Sequence, residues 1–269
     1  MAKGSKQAGH QARKRFGQNF LEDDVVISQI VSGINPRPGD RMVEIGPGLG
    51  ALTEQLLDML DGSLEVVELD RDLIPILRTK FFNFPGFNIH EADALKFDFN
   101  TLCTADNPLR VVGNLPYNIS TPLIFHLLQN IHFLKDMHFM LQKEVVERMA
   151  AQPGDSSYGR LGIMCQYYCR VQPLFVVGPE AFSPQPKVES AIVRLVPHET
   201  LPYPADSLER LQHVVRQVFT KRRKTLRNAV AGIVPSEALD ELGIDAGLRP
   251  ENLSLKQYVQ LSNWKEGAN

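Results

Sequence analysis

The sequence predicts an α/β fold: a doubly wound, mostly parallel sheet followed by a small all-helical C-terminal domain. Three observations carry this. Short runs rich in Val and Ile alternate with helical patterns between residues 41 and 150. A glycine-rich turn joins the first run to the helix after it. Prolines at 197, 202 and 204 mark a boundary near 200, and beyond them every pattern is helical.

The elements follow in order. DDVVISQIVSGI (23–34) has helical spacing and an aspartate start. RMVEIG (41–46) reads as a buried strand, then PGLG as a turn and ALTEQLLDML as a helix. SLEVVELD (63–70) is a second strand. RDLIPILRTKF continues as a helix that tolerates Pro75 only in its first turn. FNIHEAD (87–93) and LRVVGN (109–114) are the third and fourth strands. TPLIFHLLQN (121–130) is a helix with Pro122 in its first turn, and MHFMLQ (137–142) a fifth strand leading into KEVVERMAA. A helix near 158–169 precedes LFVVG (174–178) and SAIVRLV (190–196), whose proline-rich link suggests that the last strand returns antiparallel. The predicted domains are residues 1–200, with a basic arm over 1–15, and the helical residues 201–269.

With 269 residues and 43% hydrophobic content, the chain can bury one large core, or a medium core and a small one. No apolar run approaches the roughly 20 residues of a membrane span, and the N-terminus lacks the apolar core of a secretory signal. Its five Lys/Arg without an acid read as an attached arm rather than a transit peptide. Cys103, Cys165 and Cys169 have no metal or redox spacing and read as free thiols of a reducing, cytoplasmic compartment; no metal is expected. The net charge of −2 hides a segregated distribution. Residues 1–20 carry +5 and residues 209–228 carry +6, which leaves −13 elsewhere. Two basic segments of this kind can hold a polyanion.

Glu44-Ile-Gly46-Pro-Gly48-Leu-Gly50 joins the first strand to its helix, where glycines let a ligand approach the backbone. Glu68 ends the second strand, 22 residues after Gly46, where a carboxylate can accept both hydroxyls of a ribose. Asp93 ends the third strand, where it can accept from an adenine amine or cap a turn. These residues fit an adenosyl group without choosing between NAD and S-adenosylmethionine. Asn114-Leu115-Pro116-Tyr117 ends the fourth strand at the same edge. Asn and Pro form ordinary turns, but that does not account for the position beside a cofactor-sized crevice.

Asn-Leu-Pro-Tyr matches the signature of amino-group methyltransferases. With FGQNFL (16–21), EIGPGLG (44–50), Phe182 to Ser190 as FxPxPKVxS, ARKRFGQNFL near the start and RRKTLRN (222–228) near the end, nearly the whole chain resembles the bacterial small-subunit rRNA adenine N6,N6-dimethyltransferase family, linked to kasugamycin sensitivity. The resemblance implies a Rossmann-like methyltransferase sheet and S-adenosyl-L-methionine as cofactor. It implies as substrate two adjacent adenosines in the 3′-terminal hairpin loop of 16S rRNA, each methylated twice, in the small subunit or its precursor. It implies cofactor contacts at Asn19, Leu21, Gly46, Gly48, Glu68, Asp93 and Asn114, with Gln18 adjacent. Asn114 and the Leu115 carbonyl would accept from the target amine, Pro116 would set the backbone angle, and Tyr117 would stack on a flipped base. Phe182 would close the base's other face or serve as a core aromatic. Arg13, Lys14, Arg15, Lys221, Arg222, Arg223, Lys224 and Arg227 would contact RNA phosphates, the last five at the start of a helix. Two rivals share the fold: a macrolide-resistance methyltransferase of large-subunit rRNA, and a non-catalytic assembly or transcription factor. Intact Asn114, Tyr117, Glu68 and Asp93 argue against the second. A monomer is expected.

Overall fold

The computed structural model describes residues 19–104 and 106–265. Its strands are β1 Phe20–Leu21, β2 Arg41–Ile45, β3 Ser63–Glu68, β4 Gly86–Glu91, β5 Leu109–Asn114, β6 Leu134–Gln142, β7 Cys169–Val177, β8 Phe182–Ser183 and β9 Ser190–Pro197. Seven of them form the main sheet, in the order β4-β3-β2-β5-β6-β9-β7. β4, β3, β2, β5 and β6 are parallel neighbours in that order. Helices α1 Asp24–Ile34, α2 Ala51–Met59, α3 Leu73–Lys80, α4 Ser120–Leu128, α5 Lys143–Ala150 and α6 Arg160–Tyr168 alternate with them. The α/β architecture predicted from the alternation is therefore present.

Local chemistry explains the helix ends. The Asp23 carboxylate accepts from the amides of Val25 (2.9 Å) and Val26 (3.0 Å), capping α1. Ile27, Ile30, Val31 and Ile34 then bury one face, and Asn35 stops the helix in the left-handed region at φ 50°. Pro75 and Pro122 each stand third in their helix, where no intrahelical amide is lost.

Two strands begin earlier than the apolar pattern indicates. β6 starts at Leu134 and takes in Lys135 and Asp136, because Asp136 is buried as an ion-pair partner. Arg110 on β5 donates to both Asp136 oxygens (2.8 and 3.0 Å), to Asp40 (2.7 Å), and to the carbonyls of Ile34 (2.5 Å) and Asn35 (3.2 Å). One guanidinium thus caps the C-terminus of α1 and ties it to the sheet. β7 starts at Cys169, directly after α6, and carries Pro173. It lies at the end of the strand order, where a missing amide is tolerated.

A second, two-stranded sheet has no counterpart in the apolar patterning. β1 runs antiparallel to β8, with Leu21 opposite Phe182. Glu22 N–H donates to the Ala181 carbonyl at 2.9 Å beside it.

The chain forms two compact units. The first runs to Lys143 and includes Leu174–Arg194; the second holds Glu144–Pro173 and the chain from Leu195 onward. The second unit resumes at Leu195, close to the proline-marked position near 200, and it takes in Glu144–Pro173 because α6 packs with the C-terminal helices α7 Leu208–Thr220 and α10 Leu255–Asn263. That unit also contains α8 Leu226–Val230 and α9 Glu237–Glu241. Its core joins Leu211, Val214, Val215 and Val218 of α7 to the Phe219 ring, which stacks on Tyr258 at 5.9 Å. No described helix is long and apolar enough to cross a membrane.

Candidate active site

The parallel register brings the ends of four strands to one edge of the sheet. Ile45 pairs with Val67, Glu68 with Glu91, Glu44 with Val112, and Asn114 with Met140. In an open parallel sheet this edge is where ligands bind. A cavity of about 390 Å³ opens there, within the first unit. That size suits a cofactor-sized molecule. Its wall includes Asn19, Leu21, Gly46, Gly48, Glu68, Asp93 and the whole Asn114–Tyr117 tetrapeptide.

The glycine turn takes conformations that side chains resist. Gly46, Gly48 and Gly50 all have positive φ. A β-carbon on Gly48 would stand 3.1 Å from the Phe20 ring, and one on Gly50 would stand 2.6 Å from the Phe81 ring. Side chains are therefore disfavoured here by the backbone conformation, and at Gly48 and Gly50 by close packing as well.

Glu68 is buried at the end of β3 and accepts from Asp70 N–H at 2.7 Å. Burial raises its pKa; the amides of Asp70, Leu69 and Gly48 oppose that rise, and the charge of Asp70 adds to it. A fixed, partly desolvated carboxylate is suited to ligand hydroxyls. The Asp93 carboxylate accepts from the Leu95 amide at 3.0 Å, which secures the turn after β4.

Asn114 closes this edge. Its side-chain nitrogen donates to the Asn19 carbonyl at 3.1 Å. A carbonyl only accepts, so the contact fixes the amide's orientation and leaves the side-chain oxygen at the other end. Leu115 is buried and its amide donates to the Met140 carbonyl at 3.2 Å. The Pro116 carbonyl accepts from Ile119 N–H at 3.1 Å, and the Tyr117 carbonyl from the Ser120 hydroxyl at 3.1 Å. The tetrapeptide is thus held as a rigid turn leading into α4.

Three residues beyond the predicted site residues shape the cavity or support its wall. Glu44 is 2% exposed and accepts from the Thr53 hydroxyl at 2.6 Å. Burial pushes its pKa up to about 7; Thr53 opposes the shift, the Glu68 charge adds to it, and Lys80 opposes it. A glutamate inside the apolar strand RMVEI is the signal that could have singled it out. His138 also lines the cavity, and burial lowers its pKa to about 4, against the pull of Asp136. Ser190 holds Tyr117 from behind, with the two hydroxyl oxygens 2.8 Å apart.

Phe182 is not on the cavity wall. It is 4% exposed, paired opposite Leu21 in the core that includes Ala181 and Ile192, and so packs as a core aromatic. Gln18, Arg13, Lys14 and Arg15 lie outside the described residues. Among the described residues, no group of three His, Cys, Asp or Glu is arranged to hold a metal ion.

The basic run belongs to the second unit, and it forms the turn between α7 and α8 rather than a helix start. Lys221 caps α7 with its backbone, and α8 begins only at Leu226. Lys221 Nζ donates to the carbonyls of Asn228 and Ala231 (both 3.2 Å), stabilising the end of α8. The Arg222 guanidinium donates to the Ser156 carbonyl and lies 3.7 Å from Glu251. Arg223, Lys224 and Arg227 are exposed.

The site has close counterparts. The family model described as ribosomal RNA adenine dimethylase matches residues 9–266. "Ribosomal RNA small subunit methyltransferase A" of Marinobacter nauticus is 67% identical over 96% of this chain and 93% of its own length. The protein of that name from Pseudomonas syringae pv. syringae is 61% identical over 96% of each. Among solved structures, a dimethyladenosine transferase from Plasmodium falciparum superposes with TM-score 0.78 at 26% identity, covering 90% of this chain and 95% of that one. The 23S rRNA methyltransferase ErmE superposes with TM-score 0.72 at 26% identity, covering 91% and 98%. With a cavity-lining Asn-Leu-Pro-Tyr turn and a family match spanning almost its full length, the chain belongs to the ribosomal RNA adenine dimethylase family.

Proposed function

We propose that this protein transfers methyl groups from S-adenosyl-L-methionine to N6 of two adjacent adenosines in the 3′-terminal hairpin loop of 16S rRNA. The reaction takes place in the cytoplasm, on the small subunit or its precursor, with the enzyme a monomer. The observation that carries this reading is the opening of Asn114–Tyr117 onto the same cavity as Gly46, Gly48 and Glu68. The names of the 67% and 61% identical relatives support the choice of subunit.

The wall residues fit the cofactor. Glu68 would accept from the ribose hydroxyls and Asp93 from the adenine amine. Asn19, Leu21, Gly46 and Gly48 would line the remainder, with Gln18 beside them. When bound, S-adenosylmethionine supplies an electrophilic methyl group.

The protein's part is to prepare the amine. An adenine N6 lone pair is delocalised into its ring and is a poor nucleophile. The Asn114 oxygen and the Leu115 carbonyl would accept from the amine, favouring a pyramidal nitrogen with its lone pair exposed. Pro116 fixes the backbone that presents that carbonyl. Tyr117 would stack on the flipped base and favour the positive charge that develops. These are effects of positioning and electrostatics. No strong base is required, since a methylated adeninium nitrogen releases its proton readily to water.

Arg223, Lys224 and Arg227 would contact RNA phosphates, joined by Arg13, Lys14 and Arg15. Lys221 and Arg222 would hold the turn that presents them. The test is transfer of label from methyl-labelled S-adenosylmethionine to unmethylated small and large subunits. Label in small-subunit RNA is expected; label in large-subunit RNA alone would overturn the reading.

A further inference from the structure

We propose that Ser190 is a positioning residue for methyl transfer, its hydroxyl fixing where the long axis of the Tyr117 ring points. The inference rests on the reading of Tyr117 as the residue that stacks on the target base. Ser190 is 1% exposed at the start of the strand SAIVRLVP, where Ala191, Ile192 and Val193 follow it into the core, yet it does not line the cavity. A hydroxyl buried there is costly without a partner. Its oxygen lies 2.8 Å from the Tyr117 hydroxyl oxygen, 73 residues away in sequence.

Both ends of this hydrogen bond are anchored. On one side, the Tyr117 carbonyl accepts from Ser120 at 3.1 Å and the turn is closed by Ile119 N–H. The main chain is then fixed, and a bond at the ring's far tip fixes the first side-chain torsion, and with it the direction in which the ring's long axis points. On the other side, Lys143 N–H donates to the Glu189 carbonyl at 3.0 Å, and Lys143 Nζ to the Glu189 carboxylate at 2.8 Å. The residue before Ser190 is therefore pinned by main chain and side chain together.

The segment from Phe182 to Ser190 thus works as a strap. Its first residues pair with Phe20 and Leu21, beside the Asn19 carbonyl that orients Asn114. Its last residue orients Tyr117. The two halves of the Asn-Leu-Pro-Tyr turn, one directing the amine and one holding the base, are set by the two ends of the same strap. This accounts for a serine in the motif at a place where it touches no ligand.

The test compares full-length Ser190→Ala, Ser190→Thr, Tyr117→Phe and the Ser190→Ala/Tyr117→Phe double variant. Each is assayed with S-adenosylmethionine and unmethylated small subunits, alongside cofactor affinity and melting temperature. Ser190→Ala and Tyr117→Phe should each lower kcat/KM for subunits by about tenfold, the scale of removing one hydrogen bond, with cofactor affinity unchanged. The double variant should be no worse than either single one, and Ser190→Thr should recover most of the activity. Effects that multiply in the double variant, wild-type kcat/KM in Ser190→Ala, or no recovery with threonine would overturn the proposal. Tyr117→Phe reads the same bond from the other side if Ser190→Ala folds poorly. Failure of the proposed function itself is separately visible, as absence of methyl transfer by the wild-type protein in the same assay.

Discussion

The side-chain nitrogen of Asn114 donates to the main-chain carbonyl of Asn19 at 3.1 Å, across 95 residues of chain. This one hydrogen bond commits the nitrogen and fixes which way the amide faces, so that in the proposed reaction the side-chain oxygen would accept from the target amine. Asn114→Ala is expected to lower kcat by roughly 100-fold, on the scale of losing one pre-aligned polar group in a reaction site. Cofactor affinity, measured by calorimetry, should fall by much less. An unchanged kcat would remove Asn114 from the reaction.

Gly48 carries both a conformational and a steric demand. At φ 61° an alanine would cost roughly 1–2 kcal/mol for the left-handed backbone. Its β-carbon would also press on the Phe20 ring at 3.1 Å. Gly154 has φ 97° and no atom within 4 Å of such a carbon, so Gly154→Ala meets the backbone cost alone. Thermal unfolding with and without S-adenosylmethionine should show both variants destabilised, but only Gly48→Ala with weakened stabilisation by cofactor.

The basic turn divides by role. Arg223, Lys224 and Arg227 are exposed, so their replacement by alanine should leave the melting temperature nearly unchanged. It should weaken RNA binding and lower the slope of log K against log salt by about 0.7–0.9 for each phosphate no longer neutralised. Lys221 and Arg222 hold carbonyls of the fold, so alanine there should lower stability as well. A salt slope unaffected by the first three would mark them as a solvated face.

Glu44 and His138 oppose one another in pH dependence. The Glu44 carboxyl is raised from 4.5 to about 7, so the native state holds a proton that the unfolded chain has released. Its contribution to stability is full below pH 4.5 and is lost as pH rises toward 7. His138 is lowered from 6.5 to about 4, so its contribution is full above pH 6.5 and is lost as pH falls toward 4. Each effect is on the order of 3 kcal/mol. Urea unfolding of the cofactor-free protein should show Glu44→Gln gaining on wild type as pH rises from about 5 to about 8. His138→Gln should gain on wild type as pH falls from about 6.5 to about 4.5. Parallel pH curves for variant and wild type would contradict these assignments.

Much of the sheet was legible because Val- and Ile-rich runs alternate with helical spacing, and their shared edge then followed from parallel pairing. The apolar pattern leaves β6 three residues short, because Asp136 looks like solvent-facing polarity until Arg110 is known to meet it. The run of charge in KRRK (221–224) reads in sequence as a helix start, and only the end of α7 at Thr220 and the start of α8 at Leu226 reveal a turn. The sequence showed Asn114 and Tyr117, but not how they are oriented. Asn19 and Ser190 meet Asn114 and Tyr117 through hydrogen bonds across 95 and 73 positions, and spacing within a motif carries no information about such partners. Phe182 is the converse case: its motif is real, but its ring packs inward.

The most direct measurement maps the product. Small subunits lacking the modification are incubated with this protein and S-adenosylmethionine, and the 3′-terminal fragment of their RNA is analysed by mass spectrometry. Two adjacent N6,N6-dimethyladenosines with the wild-type protein, formed roughly 100-fold more slowly by Asn114→Ala, are the predicted result. An unmodified fragment with active cofactor present, or dimethyladenosine confined to large-subunit RNA, would contradict it.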